Sequence, residues 1–320
     1  MRSAAFALAG ACLIPSAAAA QRPPDAVPPP PVPPAVMTRD AAGRAAVRAV
    51  RVTSPLRIDG RLDEETYTTT RSVSGLIQME PREGEPATQN TEAWLLFDDE
   101  NVYVAVKCWE ARPDRMIADE MRRDGSGVFR NDYLALLFDT FYDRRSAYYF
   151  AVTPAGGVTD GQITNERQFS SDWNSVWNIV VGRFDGGWTI EAAIPFTSLR
   201  YRPGREQIWG FNIERSNRWK FEEAFLTAIP ASFGWSRGWL QVSYSATVFG
   251  IEAPPASRNI EVKPYVVSNL ASDRTASVAL PNPLSGAAGI DVKYGLTQNL
   301  TADFTYNTDF AHVEADQQQV

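Results

Sequence analysis

Thr91-Glu92-Ala93-Trp94-Leu95-Leu96-Phe97-Asp98-Asp99-Glu100-Asn101-Val102-Tyr103-Val104-Ala105-Val106 is the stretch that decides the fold. Two runs rich in β-branched and aromatic residues flank the acidic turn Asp98 to Asn101, the pattern of an antiparallel hairpin. Working outward, short apolar runs punctuated by Gly, Pro, Asp and Asn recur at 132–139, 147–153, 176–183, 187–194 and 208–215, with no sustained 3.6-residue period. Asp185-Gly186-Gly187 supplies a second hairpin turn. The run Tyr133-Leu134-Ala135-Leu136-Leu137-Phe138 is apolar on both faces, so it belongs at the centre of two packed layers. The expected fold class is all-β, a two-sheet antiparallel β-sandwich of jelly-roll-like type over residues 50–250. Short helical turns are expected at 62–67 and 195–199.

The flanks read differently. Arg2, an apolar run to Ile14 and the small residues Ala17 to Ala20 have the order of a secretory signal peptide over 1–20, cleaved after Ala20. Residues 21–49 read as a Pro-rich linker, since eight of the twelve residues from Pro23 to Pro34 are proline. After such cleavage Cys108 is the one remaining cysteine, so the fold must stand on its core. From 258 to 320 alternation is strict: Ile260, Val262 and Val266 interleave with Glu261 and Lys263, and Leu300, Ala302 and Phe304 with Thr301 and Asp303. One apolar face on strands of about ten residues is the transmembrane β-barrel pattern. A closed barrel takes at least about eight strands, so these read as the first strands of an incomplete barrel, and the chain as part of a longer protein.

Composition removes whole classes of function. With 320 residues, 44% hydrophobic and 22% charged, the chain has room for about two domains. A formal charge of -7 gives no basic field for a nucleic-acid partner. The single histidine, His312, removes Ser-His-Asp triads, multi-histidine zinc sites and most haem ligation.

Four motifs in order carry a resemblance: Leu56-Arg57-Ile58-Asp59-Gly60-Arg61-Leu62-Asp63-Glu64, the 91–106 hairpin, Asn131-Asp132-Tyr133 through Phe141, and Gly187-Trp188-Thr189-Ile190-Glu191-Ala192-Ala193-Ile194-Pro195-Phe196. Residues 50–250 thereby resemble the family-9 carbohydrate-binding module, which implies a calcium-associated β-sandwich holding sugars between aromatic side chains. Asp172-Trp173-Asn174-Ser175-Val176-Trp177 and Trp209-Gly210-Phe211-Asn212 add a resemblance to domain-of-unknown-function family 5916, which implies a following outer-membrane barrel. Tyr67 departs from the pattern, where related sequences tend to carry tryptophan.

Sugars offer apolar C–H faces rimmed by hydroxyls, so an exposed indole beside polar groups is the feature to seek. Trp94 shares a strand face with Glu92, and Trp109 shares one with Lys107 and Tyr103, while Trp173 and Trp219 sit in polar loops. These four are the carbohydrate-binding candidates; core packing is the competing reading for each. Trp188 and Trp209 alternate in phase with Ile190 and Phe211 and read as core. Asp132, Asp139, Asp160 and Asp172 stand at strand ends or in loops and are the candidate calcium ligands that the resemblance keeps in view, against solvated turn aspartates. The expected function is non-catalytic glycan binding by an exported domain, in the periplasm or at the cell surface. One alternative is a glycoside hydrolase of carbohydrate catabolism, using Glu191 and Glu214 as its carboxylate pair, although Glu191 also reads as a structural salt-bridge partner. The other is a ligand-free domain that plugs or braces the barrel.

Overall fold

The computed structural model describes residues 27–173, 175–254, 260–270, 284–297 and 300–306. In chain order its strands are β1 (Met37–Arg39), β2 (Ala45–Arg48), β3 (Val50–Arg51), β4 (Val73–Ser74), β5 (Ile77–Glu80), β6 (Thr91–Phe97), β7 (Asn101–Trp109), β8 (Tyr133–Asp139), β9 (Ala147–Val152) and β10 (Val158–Thr164). There follow β11 (Gln168–Ser170), β12 (Asn178–Phe184), β13 (Gly187–Pro195), β14 (Glu206–Asn217), β15 (Glu222–Phe225), β16 (Ala246–Glu252), β17 (Ile260–Leu270), β18 (Leu284–Thr297) and β19 (Leu300–Tyr306). The one α-helix among the described residues, α1, spans Glu65–Thr69, slightly later than expected, and a 3-10 turn at Phe196–Ser198 falls within the predicted crossover.

The 91–106 stretch forms the hairpin β6–β7, antiparallel from Thr91 opposite Cys108 to Phe97 opposite Val102. Its turn is closed by Asp98, whose carboxylate accepts the backbone N–H groups of Glu100 (2.8 Å) and Asn101 (2.7 Å). This hairpin sits in a six-stranded sheet of order β12-β13-β7-β6-β3, with β4 beside β6. The facing sheet has the order β1-β2-β16-β14-β8-β9-β10-β11, with β15 and β5 branching from β14. Two-residue alternation decides what each strand buries. Trp188, Ile190 and Ile194 of β13 meet Trp209, Phe211 and Ile213 of β14 and Leu134, Leu136 and Phe138 of β8 in the core between the sheets. Trp188 and Trp209 are therefore core residues, as their phase predicts.

The two-sided apolar character of β8 has a direct cause. Its second face, with Tyr133, Ala135 and Leu137, is covered by Val128, Leu240 and Val242 together with the half-buried Phe129 and Trp239. The all-β sandwich is thus confirmed, with two departures from the expected pairing: β2 runs parallel to β16, and β3 parallel to β6.

The boundary at residue 50 is corrected. β1 and β2 lie inside the stretch read as linker, and Val36, Ala45, Val47 and Ala49 are part of the main core. Alanine-rich Ala45-Ala46-Val47 has little β propensity of its own, but its small side chains fit against β16. The signal-peptide reading of 1–20 and His312 lie outside the described residues. Strands β17, β18 and β19 form an open three-stranded antiparallel sheet.

Candidate functional site

The two strand glutamates end up apart. Glu191 on β13 alternates with the core residues Ile190 and Ala192 and projects from the outer face of its sheet, where its Oε2 accepts the backbone N–H groups of Asp59 (3.0 Å) and Gly60 (2.7 Å), and its Oε1 the Tyr67 hydroxyl (2.8 Å). It pins the Asp59-Gly60 loop by neutral donors, which corrects the salt-bridge expectation. The phenol of Tyr67 does this from α1 at the position where the resemblance leads one to expect tryptophan. Glu214 on β14 projects from the outer face of the other sheet and accepts the hydroxyls of Tyr133 (2.6 Å) and Tyr149 (2.8 Å). With the two packed sheets, about 10 Å apart, between them, the pair does not meet the ~5–9.5 Å geometry of a glycosidase. The proposed catalytic pairing of Glu191 and Glu214 is therefore overturned. Burial raises the affinity of both carboxyls for a proton, and that of Glu223 beside Glu214 more strongly.

The four candidate calcium ligands are dispersed. Asp132 and Asp139 lie at opposite ends of β8. Asp132 accepts the Arg218 N–H at 2.8 Å, and Asp139 closes its turn by accepting the N–H groups of Asp143 (3.1 Å) and Arg144 (2.8 Å). Burial pushes each of these two carboxyls up to about 6. Asp160 pairs with Arg123 and accepts the Ser175 N–H at 2.7 Å, and the exposed Asp172 bonds Ser170 at 3.0 Å. Among the described residues no three potential ligands converge. These aspartates do not fit a calcium shell, because each spends its oxygens on a local turn, a backbone donor or an arginine.

The tryptophans divide in the same way. Trp173 packs on Tyr148 at 4.5 Å and on Phe150 at 5.6 Å, at the rim of the core, so it is not a free shelf. Trp219 is half-buried between Arg115 and Lys220, at 5.3 and 5.0 Å. Trp94 is 7% exposed, set edge-on against Tyr67 at 5.5 Å, and its indole N–H donates to the Thr70 carbonyl at 3.0 Å. The expectation that it stands on a solvated face is corrected: it walls a groove from below. Trp109 does stand in solvent, at 37% exposure.

The surroundings of Trp109 form the best-developed site. Phe184 meets it edge-on at 5.0 Å, the Lys107 ammonium lies over both rings at 4.4 and 4.9 Å, and its indole N–H donates to Glu92 Oε2 at 3.4 Å. Glu92 and Lys107 face each other across β6–β7, and both line an open groove of about 550 Å³ that runs over Trp94 to Thr68, Thr70, Arg71 and Ser72. That volume falls within the usual range for small-ligand sites. By contrast, the cavity beside Glu214, Tyr149 and Trp239 holds about 10 Å³, room for roughly one water. Arg71, Phe184, Thr68 of α1 and Thr70 just after it were missed from the sequence. The hairpin register, which sets Phe184 opposite Gly187, was the signal for Phe184; nothing local ties Arg71 to β6.

Fold and groove together define an all-β sandwich with a solvent-open aromatic shelf on one outer face. No family model matches the chain, and no curated protein matches it. Among solved structures it is similar to a family-9 carbohydrate-binding module from Caldicellulosiruptor kristjanssonii in complex with cellotriose, at 16% identity over 66% of this chain and 95% of that one, with a TM-score of 0.45. It is likewise similar to a family-9 module from the same organism in complex with glucose, at 15% identity over 67% of this chain and 98% of that one, with a TM-score of 0.44. At that level of similarity the ligand has to be argued from the groove itself.

Proposed function

We propose that this chain is a non-catalytic glycan-binding sandwich whose sugar lies in the groove beside Trp109. The observation that carries the reading is the exposed indole of Trp109, braced by Phe184 and in contact with Lys107 and Glu92, two residues that line the 550 Å³ groove. A pyranose presents an apolar face to such a ring and hydroxyls to the polar rim, which here adds Thr68, Thr70 and Ser72. Covering about 100 Å² of apolar surface is worth about 2.5 kcal/mol. With several hydrogen bonds this supports micromolar to millimolar affinity, or about -8 to -4 kcal/mol. Calorimetric titration with a panel of neutral and acidic glycans tests the reading. Heat of binding is expected for at least one sugar and loss of it in Trp109→Ala; silence across the panel sinks it.

The same proposal places the domain outside the cytoplasm, with β17–β19 as strands of an outer-membrane barrel. Support comes from one face of that sheet, where Val262, Val292 and Phe304 form one cross-strand row and Pro264, Ile290 and Tyr306 the next. Val266 on the same face is 82% exposed, Tyr306 75% and Phe304 62%, an apolar surface suited to lipid. A bracing role without ligand is the second reading, favoured by the burial of Trp94, Trp188 and Trp209.

A further inference from the structure

The groove has a positive excess although the chain as a whole is acidic. Arg71 and Lys107 line it against a single carboxylate, Glu92, so it holds one excess positive charge in a protein of net charge -7. Five arginines elsewhere on the surface, Arg51, Arg57, Arg112, Arg122 and Arg205, sit against carboxylates, as several others do not. Among the described residues neither Arg71 nor Lys107 forms an ion pair. Lys107 stands opposite Glu92 in the β6–β7 register, yet Glu92 turns its Oε2 to the indole N–H of Trp109 at 3.4 Å, and the ammonium rests on the rings of Trp109 and Phe184. Two cationic side chains thus line one groove, and one of them, Lys107, rests on the aromatic shelf.

We propose that the groove selects glycans that carry a carboxylate, oligosaccharides of uronic acids, over their neutral counterparts. This rests on the reading of the groove as a glycan site and names the class of sugar it takes. The ring of a uronic acid lies on the shelf while its carboxylate turns to Lys107 and Arg71, replacing water around both cations with charge-assisted hydrogen bonds. The guanidinium fork of Arg71 matches a planar carboxylate in two parallel bonds, which a tetrahedral sulfate ester reproduces less well in a shallow site. A neutral sugar gains the shelf and the hydroxyl rim without these charge-assisted bonds. Because the groove is open to solvent, the preference is modest and sensitive to salt.

The test is calorimetric titration of the whole chain with a β-1,4-linked glucose trimer, the matching glucuronic acid trimer, and a glucose trimer bearing sulfate esters. In low salt the glucuronic acid trimer is expected to bind roughly 3- to 10-fold tighter than the glucose trimer, with the ratio shrinking in about 0.5 M sodium chloride. Arg71→Met and Lys107→Met, both at solvent-accessible positions and checked by thermal unfolding, are each expected to narrow that ratio. Equal or weaker binding of the uronic acid trimer, with Trp109→Ala abolishing the glucose trimer, overturns the selection while the glycan reading stands. Tighter binding of the sulfated trimer overturns the carboxylate assignment. No binding by any of the three, nor by the wider panel, overturns both.

Discussion

Trp109 meets Phe184 edge-on at 5.0 Å because the residue between their strands, Gly187, has no side chain. A Cβ at that position would lie 2.0 Å from the Cys108 carbonyl oxygen and 2.9 Å from the Phe184 ring. The shelf therefore depends on a glycine that never touches the ligand.

Gly187→Ala is accordingly expected to destabilise the sandwich by about 1–3 kcal/mol, the usual cost of forcing a methyl group into packed surroundings. Thermal unfolding reads the loss directly, and sugar affinity should fall with it. An unchanged melting temperature would show that the β7–β13 contact is looser than described.

Glu191 is expected to matter for folding and not for turnover. Glu191→Ala leaves the N–H groups of Asp59 and Gly60 and the Tyr67 hydroxyl without their acceptor, at a cost of about 2–4 kcal/mol. Urea unfolding measures this. Neither the wild type nor the variant should cleave a chromogenic glycoside; wild-type turnover that Glu191→Ala abolishes would restore the hydrolase reading.

The buried carboxyls predict an unusual pH profile. Burial raises the proton affinity of Glu214, Glu223, Asp132 and Asp139, so the folded state holds protons that the unfolded chain releases. Their contribution is complete below the ordinary carboxylate range and is lost as pH rises through the raised values, which for Asp132 and Asp139 means between 3.8 and about 6. Glu120 works in the other direction: its hydrogen bonds to Arg122 lower it to about 2, and its contribution disappears only in stronger acid. Glu223→Gln, which mimics the protonated acid, should raise stability at neutral pH, change it little in mild acid and flatten the slope between. Denaturant unfolding across pH checks this, and a neutral-pH loss in the variant would mean that the Arg218–Glu223 pair, 3.8 Å apart, outweighs the burial cost.

Much of this architecture was legible because its strands are locally self-consistent. The 101–109 and 187–194 runs alternate, carry β-branched residues and are bounded by turn residues, so β7 and β13 follow from pattern alone. Strands such as β10, with Asp160-Gly161 inside it, and β15, which opens with Glu222-Glu223, escaped notice. Their polar residues are buried against distant partners: Asp160 against Arg123, and Glu222 against the backbone N–H and hydroxyl of Thr88. The site was half legible for the same reason. Trp109, Lys107 and Glu92 share a hairpin face that can be read by counting, whereas Arg71 reaches the groove only because β4 pairs with β6. Trp94 was misplaced because counting shows which face a ring occupies, not that α1 covers it.

The most direct measurement of the central claim is the set of tryptophan indole N–H resonances, followed as the tightest-binding sugar of the panel is added. Saturation should move the Trp109 signal and leave those of Trp188 and Trp209, both in the core, where they are. A sugar that binds while the Trp109 signal stays fixed would contradict the assignment of the groove as the place where glycan is held.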